Sequence, residues 1–136
     1  KVVFITHHTE AQEVNEHDFF HLGSSGGTKC SSAYKLAIRY IESEFPPTSW
    51  NVYAFHCTDG DNFTEDEKDA LSSMEKLIEL ANMVAYCQVG ETSSSTTLLG
   101  LFEDFKQPNF VMVKIADGTD VAIALRSIFK EVKDGE

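Results

Sequence analysis

Residues 1–6 carry four consecutive apolar side chains, Val2, Val3, Phe4 and Ile5. Such a run, without polar alternation, predicts a strand covered on both faces. Further apolar runs at 50–57, 83–89 and 110–115 predict three more strands. Between them the apolar positions switch to helical spacing. Ala33, Leu36, Ala37, Tyr40 and Ile41 mark a helix over 28–44 that Pro46-Pro47 stops. Leu71, Met74, Leu77, Ile78 and Ala81 mark a second, entered through a capping box in which Thr64 and Glu67 bond reciprocally. Leu98, Leu101, Phe102 and Phe105 mark a third over 96–106. In the last helix, capped by Asp120, the positions Val121, Ala124, Leu125, Ile128 and Val132 face inward. The stretch 11–20 alternates less cleanly, and Val14 with Phe19-Phe20 reads as a short edge strand. Residues 22–28 form a Gly/Ser loop, 93–97 a loop or helix cap, and 133–136 a polar, frayed tail. Apolar strands alternating with amphipathic helices predict an α/β fold. Its sheet is doubly wound and mostly parallel, with helices on both faces.

With 136 residues the chain is one domain, 1–136, long enough to bury a real core. It begins without Met and directly on a strand, which points to a fragment or processed product. No run reaches the ~18–20 apolar residues of a membrane span, and residues 1–5 are too short for a signal peptide. Twenty-two acidic against 11 basic residues give a net charge of −11. That balance argues against binding nucleic acid or anionic membranes, and for a basic partner, a bound cation or simply a solubilising surface. Cys30, Cys57 and Cys87 are odd in number and widely spaced. They suit free thiols in a reducing cytoplasm, with Cys57 and Cys87 as small core residues.

The candidate chemistry gathers at Cys57-Thr58-Asp59-Gly60-Asp61-Asn62, directly after the second predicted strand. Ligands in open α/β sheets bind at the carboxyl ends of strands. Asp59 there can hold a metal, with Asp61 and Asn62 behind it, or the four residues from Asp59 to Asn62 can be ordinary turn chemistry. Upstream, Gly26-Gly27-Thr28 opens a helix and offers a hydroxyl and bare N–H groups. This loop is not a P-loop, and its bland reading is a flexible loop with Thr28 as N-cap. Carboxylate plus hydroxyl oxygen is the donor chemistry of Mg²⁺ or Mn²⁺. His7 and His8 point to opposite faces of a strand, and His17 and His21 lie where no helix is expected. The histidine spacing therefore shows no convergent metal site, though one or two can line the rim. No nucleophile with a base and an orienting group is visible, so the chain is read as non-enzymatic.

Taken in order, His7-His8-Thr9, Glu13-Val14, Glu16-His17, Phe19-Phe20, Gly26-Gly27-Thr28, Ser31-Ser32-Ala33, Trp50-Asn51 and Asp59-Gly60-Asp61-Asn62 resemble the bacterial YeaH/YhbH family. Its Bacillus-type members are called sporulation proteins. The resemblance is dense to about residue 89 and thinner beyond. That family looks like a von Willebrand factor A domain, a Rossmann-like fold with a metal-ion-dependent adhesion site. Such sites combine an Asp-x-Ser-x-Ser loop, a Thr and an Asp. Thr28 and Asp59 match the second and third elements, and the first is absent from this sequence.

The resemblance implies a von Willebrand factor A-like module truncated at its N-terminus, with a missing central strand. Residues 1–6 and 50–57 must then pair directly, leave a gap, or take a strand from another chain. An open interior edge invites homo-oligomers. The implied function is a cytoplasmic interaction module of a sporulation or stress protein. Its Mg²⁺, held by Thr28, Asp59 and Asp61, binds in the intact parent and weakly or not at all in these 136 residues. The implied partner is a protein presenting an acidic residue to the ion's open position. An Mg²⁺-dependent phosphohydrolase or phosphotransferase, with Asp59 and Asp61 as ligands, is the alternative; a metal-free structural role is the third reading.

Overall fold

The computed structural model describes residues 1–22, 28–90 and 98–134. The Gly26-Gly27 pair and the 93–97 segment lie outside the described residues. Strands β1 (Phe4–His7) and β2 (Ala11–Val14) form an antiparallel hairpin, with Phe4 opposite Val14 and His7 opposite Ala11. A short helix, α1 (Glu16–His21), follows where an edge strand through Phe19-Phe20 was expected. The Asn15 side chain decides the outcome by accepting the Asp18 N–H at 2.8 Å, while Glu16 and Asp18 lie in the positive first turn. Phe19 and Phe20 pack their rings on Phe4. His17 and His21 therefore do share a helical turn, with rings stacked 4.2 Å apart.

The remainder alternates as predicted: α2 (Cys30–Ser43), β3 (Tyr53–Thr58), α3 (Glu67–Leu80), β4 (Met83–Val89), α4 (Leu98–Phe102), β5 (Phe110–Ile115) and α5 (Val121–Asp134). Strands β3, β4 and β5 form a parallel sheet in that order, in register from Tyr53↔Met83 and Val84↔Phe110. Central β4 is buried from Met83 to Gln88. Its alternate side chains enter two cores, as strand geometry requires. Val84 and Tyr86 pack with Tyr34 and Ile41 of α2, Met74 and Leu77 of α3, and Leu98 and Phe102 of α4. Met83, Ala85 and Cys87 pack with Val111 and Val113 of β5 and Ala124 and Ile128 of α5. Helices thus lie on both faces of an α/β sheet, covering both faces of β4. Among the described residues no helix is long and apolar enough to cross a membrane.

Element limits moved where side chains compete with the backbone. The strand expected over 50–57 begins at Tyr53, because Trp50 packs on Phe45 and the Asn82 side chain takes the Val52 N–H at 2.7 Å. No capping box forms at Thr64. A 3-10 turn, Thr64–Asp66, precedes α3 instead, and Asp66 turns its carboxylate away to α2. Nor is Thr28 an N-cap: α2 starts at Cys30, and Lys29 in the cap position makes no side-chain cap bond. The last helix is entered through a short turn capped by Asp117, with Asp120 completing the capping box. It buries Ala124 and Ile128, whereas Val121 and Leu125 are exposed. The Val132 side chain lies outside the described residues, and α5 continues to Asp134 where a frayed tail was expected.

Among the described residues strand β3 has one partner, β4, and its other edge is unpaired. Since α5 reaches β4 and β5, the β3 face made by Tyr53, Phe55 and Cys57 stays open, with Tyr53 49% and Phe55 55% exposed. Cys57, expected in the core, is exposed for the same reason. β1 and β3 share no backbone ladder. Direct pairing, one of the outcomes foreseen for these strands, does not occur, and within the chain a gap separates them. His7, the last residue of β1, meets His56 of β3 across it through a side-chain contact.

Asp66 is the buried hinge between α2 and α3. It is 2% exposed and accepts the Ser31 N–H at 2.9 Å and the Ser31 hydroxyl at 2.5 Å. Replacing Asp66 with Ala leaves both Ser31 donors unmet in a buried joint, at a cost of about 1–3 kcal/mol. The urea midpoint of Asp66→Ala is expected to fall well below that of Asp69→Ala, which removes only the surface pair with Lys35. Equal midpoints would show that the joint is not stabilising.

Candidate functional site

Three loops meet at the carboxyl ends of β1 and β3. Backbone bonds lock them together: Lys29 N–H to His8 carbonyl at 2.7 Å, and Phe63 N–H to Thr28 carbonyl at 3.0 Å. The Asn62 side chain accepts the Cys30 N–H at 2.9 Å. With Asp66 on Ser31, this satisfies the first amides of α2, which the helix cannot satisfy itself. Asn62 is thereby committed to the helix start, and its Nδ2 is buried without a partner among the described residues.

Asp59 lies just past the end of β3 and is exposed. Its Oδ1 accepts the Asp61 N–H at 3.0 Å, and the Thr58 hydroxyl oxygen accepts the Gly60 N–H at 3.3 Å. The tight turn needs glycine: Gly60 has φ +91°, and a Cβ there would fall 2.5 Å from Gln88 Oε1. Thr28 is half-buried on the neighbouring loop, and Asp61 is exposed. Of the other histidines, His8 is exposed and takes the Thr9 N–H, while His17 and His21 lie on the surface of α1.

Beneath this rim lies a cluster that spacing did not reveal. His7 Nε2 and His56 Nε2 are 2.9 Å apart, and the Tyr34 hydroxyl is 2.9 Å from His56 Nδ1. Cys30 completes the group, with one donor atom from each of His7, Cys30 and His56 lying within 4.8 Å of the others. His7 Nδ1, at the end of the Tyr34–His56–His7 chain, is buried with no partner among the described residues. Burial and the adjoining His7 push His56 down to about 3. Burial, then His8, lowers His7, while Asp59 opposes them. Burial, Asp66 and Asp59 push the Cys30 thiol up to about 12. At neutral pH the site therefore offers two neutral imidazoles and a protonated thiol. These residues are 23 and 26 positions apart, so no local motif announced them. The one signal was a lone His56 inside an apolar strand run.

Beside the rim, an open cleft of about 510 Å³ is lined by Thr9, Glu10, Lys29, Ser32, Lys35 and Arg39 among others. Three cations stand together there on a chain of net charge −11.

The chain matches, over residues 1–132, the family described as "Protein of unknown function (DUF444)". It is similar to a UPF0229 protein of Ruminiclostridium cellulolyticum, 43% identical over 136 residues that cover 98% of this chain and 34% of the relative. A UPF0229 protein of Halalkalibacterium halodurans is 39% identical over 133 residues, with 98% and 34% covered. One of Bacillus cereus is 39% identical over 130 residues, with 96% and 33% covered. The chain thus spans about a third of the length of the curated relatives it matches.

The half-buried histidines make stability pH-dependent. As pH falls, unfolded His56 protonates near 6.5, whereas the folded residue resists until about 3. Its contribution is complete above that window and is lost on descending through it, at up to about 1.4 kcal/mol per pH unit. The denaturant midpoint of the wild type, measured with chelator present, is expected to drop between about pH 7 and about pH 5. His56→Gln should remove most of that slope; an unchanged slope would show that His56 is not held neutral.

Proposed function

Since this chain belongs to the DUF444 family of proteins of unknown function, we propose that it acts as a non-enzymatic, divalent-cation-dependent interaction module of von Willebrand factor A-like type. The observation that carries this reading is the knot of three loops that brings the Thr28 and Asp59 segments to one rim of the sheet. Thr28 and Asp59 supply hard oxygens suited to Mg²⁺, with Asp61 steadying the Asp59 turn through its own N–H. The Asp-x-Ser-x-Ser element is not in this sequence, so the residues present make part of a ligand set. The ion supplies a positive charge and an open position for a partner's carboxylate. The chain's own residues orient that partner: Lys29, Lys35 and Arg39 in the adjoining cleft favour an acidic segment. The unpaired β3 edge is where a second copy or further polypeptide would pair. Cysteines free of disulfides suit a reducing cytoplasm. A sporulation or stress setting belongs to the same proposal.

In full-length protein, Mn²⁺ or Mg²⁺ titration by calorimetry is expected to give affinity at least ~10-fold weaker for Asp59→Ala than for wild type, at an unchanged unfolding midpoint. Chelator-sensitive retention on an acidic-peptide resin should be lost with it. Equal affinity and retention in the variant would end this reading. The same cations favour one second reading, a Mg²⁺-dependent phosphohydrolase or phosphotransferase. Phosphate release from a panel of phosphate esters, abolished by Asp59→Ala, would decide for it.

A further inference from the structure

We propose that His7, Cys30 and His56 form a binding site for a thiophilic divalent ion, Zn²⁺ in chemical class, separate from the oxygen donors Thr28 and Asp59. Three features carry it. First, the donor atoms converge from three different elements: the end of β1, the first residue of α2 and the interior of β3. Second, the donor set is two imidazoles and a sulfur, which selects Zn²⁺, Co²⁺ or Cu ions over Mg²⁺. Third, the imidazoles are already aimed. The two Nε2 atoms face each other at 2.9 Å, and the Tyr34 hydroxyl holds His56 from behind at Nδ1. A hydrogen-bond partner on the distal ring nitrogen is what orients a metal-bound histidine.

Binding balances simply. The Nε2 lone pairs and the Cys30 sulfur each form a bond to the ion. The proton shared between the two Nε2 atoms moves to a distal Nδ1, so each ring stays neutral with one N–H; that of His56 donates to the Tyr34 oxygen. The Cys30 thiol releases one proton to solvent. Three protein ligands leave one position of a tetrahedral ion to water. The ion also bridges β1 to β3 across the gap in the backbone ladder. That makes it a staple as well as a ligand.

The inference goes beyond the adhesion reading and does not depend on it. The test is Co²⁺ titration of the 136-residue chain, read by visible absorption and by the thiolate-to-cobalt charge-transfer band. One ion per chain is expected, with that band present and retained in excess Mg²⁺. Zn²⁺ should displace Co²⁺. Cys30→Ser should lose the charge-transfer band, and Cys57→Ser should keep it. Tyr34→Phe should bind ~10-fold more weakly or worse. If Cys30→Ser does not fold, His7→Gln serves in its place: it lies at the end of a hairpin, outside the two cores, and should weaken binding while sparing the thiolate band. Binding without a thiolate band, a band surviving Cys30→Ser, unchanged affinity in His7→Gln, or no binding at all would each overturn the site.

Discussion

The start of α2 is held by side chains that belong to another part of the chain. Its first amides go to Asn62 and Asp66, and the Ser31 hydroxyl goes to Asp66 as well. A helix beginning without a local cap, as α2 does at Lys29, needs such partners to satisfy its unpaired donors. Because those partners lie between β3 and α3, the same bonds fix the β3 exit loop against the α2 entry loop. The joint sets the Thr28–Cys30 segment against the loop that follows Asp59. It is a polar joint that is almost wholly buried, so a lost partner is felt as an unmet donor as well as a missing bond.

The second constraint is a sheet with an open edge among the described residues. β3 offers one unpaired edge and one uncovered face, and the β1–β2 hairpin stands beside it as a separate sheet. Parallel strands are normally buried on both faces, so exposed Tyr53 and Phe55 are out of keeping with the rest of the architecture. The curated relatives are about three times as long as this chain. In these 136 residues the two sheets are joined by loops, by α2, which packs on both β1 and β2, and by the His7–His56 contact. That contact sets two imidazoles between the hairpin and the parallel sheet.

Much of the fold was legible because burial leaves a strong trace. β4 and β5 match their apolar runs residue for residue, since a doubly covered strand tolerates few polar side chains. α3 kept its expected stripe at Met74, Leu77 and Ile78. What failed was local chemistry with two possible outcomes. Thr64 through Glu67 satisfied a capping pattern, but Asp66 had a better use across the chain. Phe19-Phe20 looked like a strand until the Asn15 cap turned it into a helix. The stripe on α5 was read too wide: Ala124 and Ile128 are buried, whereas Val121 and Leu125 are exposed. At the site, Asp59 and Thr28 stood out through their loops, whereas the His7–Cys30–His56 convergence is a property of topology alone. No periodicity links residues 7, 30 and 56.

Hard and soft donors here alternate along the same two segments. Thr28 and Cys30 are two positions apart on the α2 entry, and His56 and Asp59 are three apart at the end of β3. Strand geometry turns His56 inward toward Tyr34, while Asp59, past the last ladder pair, escapes into solvent. The alternation therefore sorts oxygen to the outside and nitrogen with sulfur to the inside. The two layers communicate through charge: Asp59 raises the Cys30 thiol and partly offsets the fall in His7. A negative charge above the inner cluster disfavours a bare thiolate but favours any cation that comes with it. Mg²⁺, which sheds water reluctantly and prefers oxygen, gains nothing from descending into a pocket of imidazole and thiol. At the proposed inner site an ion that prefers nitrogen and sulfur would gain both its ligands and the field of Asp59, so selectivity between the two donor sets would be a matter of depth.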